Sequence, residues 1–235
     1  MLKSALPAER VRTDAELLNA RRHDYWVLSH LNDVQDRPAP APACVVQPAS
    51  VADVVAVVNA CRKTKTPIVP FGLGSGVCGG VIANPQGVVL DMSAMNATRF
   101  IDEKNLLASF DAGRNGGDAE REVAEHGLTI GHWPQSVDIS SVGGWIATRA
   151  SGQFSTLHGN IEDIVYAIEA VLPNGEVITS GKAPRAAAGP DLRHLFLGSE
   201  GTLGVITGVT LSLRRKPQAE AHSAFFCTTM PQGFE

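Results

Sequence analysis

Pro70-Phe71-Gly72-Leu73-Gly74-Ser75-Gly76 follows the short apolar run Pro67-Ile68-Val69. Three glycines alternating with other residues let a backbone bend sharply and aim several N–H groups at one anion, as a nucleotide pyrophosphate requires. Gly74-Ser75-Gly76-Val77-Cys78-Gly79 also satisfies the dinucleotide fingerprint G-x-G-x-x-G, with Asp91 at a fitting distance for a ribose. That fingerprint has content only where a helix begins inside it, so that the pyrophosphate meets the helix N-terminus. Gly80-Val81-Ile82-Ala83-Asn84-Pro85 follows instead and cannot hold a helix, and no Gly-Lys-Ser/Thr supplies a P-loop. Two readings stay open: a glycine-rich turn with no ligand, and a phosphate cradle of backbone amides between two strands.

On either side of this loop the chain alternates strand and helix. Cys44 to Gln47 reads as a strand, and Ser50-Val51-Ala52-Asp53 caps a helix that places Val51, Val54, Val55 and Val58 on one face. Ile68-Val69 and Val88-Val89-Leu90-Asp91 then complete a small β-α-β lobe. Upstream, Thr13-Asp14-Ala15-Glu16 predicts a capped helix reaching Tyr25-Trp26, and the prolines between Arg37 and Pro42 predict an extended linker. Downstream, Arg99 to Asp102 and Leu106 to Asp111 read as strands, and a helix from Gly117 to Glu125 stops at Gly127. Ile164 to Leu172, the turn Pro173-Asn174-Gly175-Glu176 and Val177-Ile178-Thr179 form a hairpin. Val205, Val209, Leu211 and Leu213 share one strand face.

The fold class is therefore α+β, with two α/β lobes: a small parallel β-α-β lobe over residues 43–95 and a larger, mainly antiparallel sheet flanked by helices over residues 96–216. Residues 1–42 would form an N-terminal helix and linker. Ala224-Phe225-Phe226 predicts a further strand, and Pro231 opens a helical turn, so residues 217–235 read as the start of a truncated C-terminal domain.

Bulk composition narrows the function. A net charge of −4 and a pI near 6.0 argue against nucleic acid as a partner, because phosphate-backbone binding needs clustered positive charge. No apolar run approaches the roughly 18 residues of a membrane span, and Met1 to Asp14 lacks a signal-peptide core. Cys44, Cys61, Cys78 and Cys227 show no paired spacing, which fits reduced thiols in a cytoplasmic protein. His126 and His132 flank a Gly-containing turn, and no histidine set has metal-ligand spacing, so no metal is expected.

Three more segments carry a resemblance. They are His132-Trp133-Pro134-Gln135-Ser136-Val137-Asp138-Ile139-Ser140-Ser141-Val142-Gly143-Gly144-Trp145, then Thr148-Arg149-Ala150-Ser151-Gly152, and Gly198-Ser199-Glu200-Gly201-Thr202-Leu203-Gly204-Val205-Ile206-Thr207. With the Pro70 loop and Gly159-Asn160-Ile161-Glu162-Asp163, they resemble the FAD-binding domain (PCMH-type) of the vanillyl-alcohol oxidase and p-cresol methylhydroxylase flavoproteins. The likeness is to the alkyldihydroxyacetonephosphate synthase branch and its bacterial FAD-linked relatives, over residues 44–213.

The resemblance implies FAD between the lobes, with Pro70, Phe71, Gly72, Leu73, Gly74, Ser75 and Gly76 at its pyrophosphate. Pro134 to Ser140, with Pro134, Asp138 and Ser140 as the named contacts, would lie along the flavin and ribityl chain. Ser141, Gly143 and Gly144 would bring a helix N-terminus to the phosphates, and Thr148, Arg149, Ala150 and Ser151 would continue that wall. Glu200, Gly201, Gly204, Val205 and Ile206 would line the adenosine end. On the residues alone, Gly143-Gly144 also fits helix packing, and Gly201 and Gly204 also fit a strand-entry turn.

Many relatives tether FAD through a histidine near the first glycine loop. Ile68 to Gly80 contains none, so noncovalent FAD is expected, with Cys78 a buried small residue. Ala183-Pro184-Arg185 resembles the synthase branch, where the arginine supports the flavin site, so Arg185 is the catalytic candidate; His194 is a weaker one. The resemblance implies a small-molecule substrate, leaves room for a homodimer, and assigns most catalytic side chains to a C-terminal substrate domain. Its reaction is hydride transfer from a small 2-hydroxy acid or alcohol to FAD. The alternatives are a synthase-type transferase using a flavin adduct, and a flavin-binding fragment inactive alone.

Overall fold

The computed structural model describes residues 2–181 and 189–234. Its first sheet contains β1 (Val11–Arg12), β2 (Cys44–Val46), β3 (Ile68–Phe71) and β4 (Val88–Asp91), in the order β1-β2-β4-β3. β2 and β3 both pair parallel to β4, with Val45 and Val69 in register on Val89. Parallel strands need a crossover, and the Val51–Thr64 helix provides it. Ser50 caps that helix by accepting from the N–H of Asp53 at 3.2 Å, and Val54, Val57, Val58 and Cys61 face the sheet. Every residue of β2 and β4 is buried, as expected for inner strands covered on both faces.

The N-terminal region differs from its expected form. The helix spans Ala15–Ala20 and does not reach Trp26; Asp14, not Thr13, is its cap, accepting from the N–H of Leu17 at 3.1 Å. It ends at Arg21 because Arg21 and Asp24 have partners elsewhere in the fold. A second helix, Val27–Val34, follows. β1 joins the small sheet antiparallel to β2, so residues before 43 contribute to that lobe.

Seven further strands are described: β5 (Thr98–Asp102), β6 (Leu107–Asp111), β7 (Leu128–Thr129), β8 (Val165–Val171), β9 (Val177–Thr179), β10 (Val205–Ser212) and β11 (Arg214–Arg215). β5, β6, β10, β8 and β9 form, in that order, an antiparallel sheet. A register shift between Ile206 and Gly208 bends β10. β7 and β11 pair separately, which single-strand patterning did not reveal. Phe110, Leu128, Ile130, Trp145, Ile146, Ile161, Ile164, Ile168 and Leu211 fill the core of this lobe.

The lobes share an interface. Val171 and Val205 belong to the large sheet but pack into the core of the small lobe. Residues 215–234 are exposed throughout, and Ala224-Phe225-Phe226 does not form the expected strand. An isolated extended segment leaves its ladder unmade, so propensity alone cannot hold it. Pro231–Gly233 is one 3-10 turn with proline at its start.

Candidate functional site

β3 ends at Phe71, beside Asp91 at the end of β4, so the Pro70 loop leaves from the carboxyl ends of parallel strands. Residues 79–83 form a turn and no helix, which removes the dinucleotide-fingerprint reading. Gly74 has φ +73°, and a Cβ there would come within 2.6 Å of Phe71 Cζ, so the glycine is required for both shape and space.

The loop borders a cavity of about 350 Å³. Pro70 through Gly76 form one wall; Ser140, Ser141, Gly143, Gly144, Thr148 and Ala150 form a second; Glu200, Gly201, Gly204 and Ile206 form a third. The walls come from three distant stretches of chain. Glu200 donates its N–H to Ala147 O at 3.0 Å and Gly198 its N–H to Ile146 O at 3.0 Å, which ties the third wall to the second.

Among the described residues lining the cavity, the charged side chains are Asp24 and Glu200; no lysine, arginine or histidine lines it. An anion held there must rely on main-chain donors. The N–H groups of Leu73, Gly74, Ser75 and Gly76 find no acceptor among the described residues. The amides at the start of the Val142–Thr148 helix are spent instead. Val142 donates to Arg114 O, Gly143 to Ala112 O, Gly144 to Ser141 Oγ and Trp145 to Ser141 O, at 2.8–3.2 Å. That helix start therefore lines the cavity without offering the free N–H groups expected of it.

Residues 42–181 match the FAD binding domain family. The chain belongs to this family. It is similar to the uncharacterized FAD-linked oxidoreductase YgcU of Escherichia coli K12 (39% identical over 99% of this chain and 48% of that protein). It is also similar to glycolate oxidase subunit GlcD of Bacillus subtilis (37% identical over 76% of this chain and 38% of that protein). A solved alkyldihydroxyacetonephosphate synthase superposes with a TM-score of 0.85, at 29% identity over 93% of this chain and 40% of that one. The chain spans less than half the length of the curated relatives it matches. The mixed α+β architecture agrees with that structural neighbour, and the resemblance stated from sequence holds.

As an FAD-binding domain, the cavity fits its cofactor: unspent loop amides suit a pyrophosphate, and small residues allow close approach. Five expected contacts do not line it. Pro134 is buried and accepts from the N–H of Val137 at 3.0 Å. Asp138 is exposed and pairs with Arg121 at 3.0 Å; Arg149, at φ +53°, pairs with Glu162 at 3.1 Å. Ser151 donates to Asn160 Oδ1 at 2.6 Å, and Val205 packs into the small-lobe core. Arg185 lies outside the described residues.

Ser136, inside the expected Pro134 to Ser140 stretch, lines the cavity; sequence reading missed Asp24, Val77, Cys78, Gly80, Val81, Met92, Ala112, Trp145 and Ala147, which also line it. Cys78 is exposed rather than buried, on the irregular segment between β3 and β4. Trp145, 1% exposed, donates its indole N–H to Ser140 Oγ at 2.8 Å and so orients a cavity hydroxyl. The His132 ring meets Trp145 edge-on at 4.8 Å. Burial pushes the His132 imidazole down to about 4, against the opposing pull of Glu162.

Proposed function

We propose that this chain is the flavin-holding portion of an oxidoreductase that takes hydride from a small 2-hydroxy acid or alcohol, with FAD held noncovalently. The observation that carries the reading is the cavity between the lobes, walled by the unspent amides of Leu73 to Gly76 and lacking a cationic lining side chain among the described residues. Bound FAD would supply the hydride acceptor, and a cofactor of that kind brings its own redox chemistry. The protein's part is to bind, orient and keep water out. The loop amides would hold the phosphates, the Trp145–Ser140 pair would fix one wall, and Phe71, Met92 and Ile206 would supply apolar surface. Ile68 to Gly80 holds no histidine for a tether, which supports noncovalent attachment.

The substrate class rests on relatives such as the glycolate oxidase subunit. The similarity to alkyldihydroxyacetonephosphate synthase over 93% of the chain favours a second reading, a synthase-type transferase. Either activity would draw on a C-terminal substrate domain, with Arg185 as the reacting-site arginine within this chain.

Purified protein should be yellow, and acid should release FAD into the supernatant. Colour retained in the acid pellet would overturn noncovalent attachment, and a colourless protein that cannot be reconstituted would sink the FAD site. In the full-length protein, anaerobic bleaching by a 2-hydroxy acid supports the oxidoreductase. No bleaching, with turnover of an acylated ketone phosphate, supports the synthase.

A further inference from the structure

Residues 21–26 precede the family-matched region, yet they grip the glycine loop at several points. The N–H of Tyr25 donates to Gly76 O at 2.8 Å. Asp24 is 4% exposed, and its carboxylate accepts from the N–H of Gly79 at 3.0 Å and of Trp26 at 3.1 Å. The fit leaves no room for side chains: a Cβ on Gly76 would come within 2.9 Å of Asp24 Oδ2, and one on Gly79 within 2.7 Å of Trp26 Cε3. Farther back, Arg21 donates from Nε to the fully buried Asp91 at 3.0 Å, and its guanidinium sits 5.3 Å over the Phe71 ring. That ring in turn lies under Gly74.

We propose that residues 21–26 are a strap forming the back of the cofactor cradle, with Asp24 as the positioning residue for its amides. The proposal rests on the FAD reading of the cavity. A carboxylate accepts stronger hydrogen bonds from N–H groups than a carbonyl does, so Asp24 fixes the loop on the far side of Gly76. With the Gly76 carbonyl held by Tyr25 and the Gly79 amide held by Asp24, the N–H groups of Leu73, Gly74 and Ser75 are left unspent at the cavity wall. Both Asp24 oxygens are occupied by amides, so the strap positions the donors without competing for them.

The test separates phosphate binding from flavin binding. Apoprotein carrying Asp24→Asn or Asp24→Ala is titrated with FAD, ADP and riboflavin, with melting temperature as the check on folding. Asn offers one acceptor oxygen for two donors. The expected result for Asp24→Asn is at least tenfold weaker binding of FAD and ADP, with riboflavin affinity within twofold of wild type. Asp24→Ala should show the same pattern more strongly, and if it does not fold, Asp24→Asn decides. FAD and ADP affinities within threefold of wild type would overturn the strap. So would a parallel loss of riboflavin, which marks general loosening or direct contact with the flavin. If wild-type protein binds none of the three, the FAD reading itself fails, independently of the variants.

Discussion

A β-branched side chain at Gly74 would have to adopt φ +73° with its Cβ 2.6 Å from the Phe71 ring. The left-handed backbone alone costs about 1–2 kcal/mol for an L-residue, and the clash adds to it. Gly74→Val should therefore abolish reconstitution with FAD, read as the flavin absorbance that remains with the protein after gel filtration; retained affinity would mean the loop is not the cradle. His132 makes a different kind of prediction. It is 1% exposed, neither ring nitrogen has a hydrogen-bond partner among the described residues, and burial holds its folded-state value at about 4, below the ordinary 6.5. A depressed folded value means the unfolded chain takes the proton first, so stability is full above about pH 6.5 and falls as pH drops towards 4. Comparing wild type with His132→Phe in urea melts should show a wild-type-specific loss across that window, of about 3 kcal/mol at most. Equal pH dependence in the two proteins would contradict it.

Elements decide what neighbouring glycines do. Gly143 and Gly144 open the Val142–Thr148 helix and both border the cavity, but their surroundings differ. A Cβ on Gly143 would lie 2.6 Å from Ala112 Cβ and 2.7 Å from its carbonyl oxygen, with backbone behind it that cannot give way. On Gly144 the nearest obstacle is Ser141 Oγ at 3.0 Å. Gly143→Ala should lower apoprotein stability by about 1–3 kcal/mol through overpacking. Gly144→Ala should stay within about 0.5 kcal/mol in the apoprotein and weaken FAD instead. Chemical denaturation and FAD titration of both variants check this; the reverse pattern would exchange the roles of the two residues.

At the scale of the whole molecule, the cavity joins the lobes. Its walls combine the end of β3, the helix packed on the large sheet and the turn entering β10, so a ligand there bridges both cores. Ligand bound to the folded state alone should stabilise it by about 2.7 kcal/mol at a hundredfold excess over Kd. For a chain of this size that is a rise in Tm of roughly 5–11 °C. Thermal melts with and without FAD measure it, and an unchanged Tm would mean that FAD does not bind the folded chain.

Local chemistry made much of this fold legible. Ser50 before a valine-faced helix, the mostly apolar strands at Val88 and Val165, and Gly127 at φ +68° after the Gly116–Glu125 helix depend on near neighbours and short periods. The glycine and Pro-Gln-Ser motifs pointed to the FAD-binding family by resemblance, through the residue types of each motif and their order along the chain. Tertiary structure alone decided which amides remain free. The N–H of Gly143 is spent because Ala112 O, far away in sequence, lies 2.8 Å from it, while those of Leu73 to Gly76 meet no such acceptor among the described residues. It also ended the Ala15–Ala20 helix at Arg21, so that Asp24 and Tyr25 could reach the loop, and Phe225 and Phe226 pair with no strand among the described residues. Periodicity and capping act over a few residues; whether a donor is spent depends on what the rest of the chain brings to it.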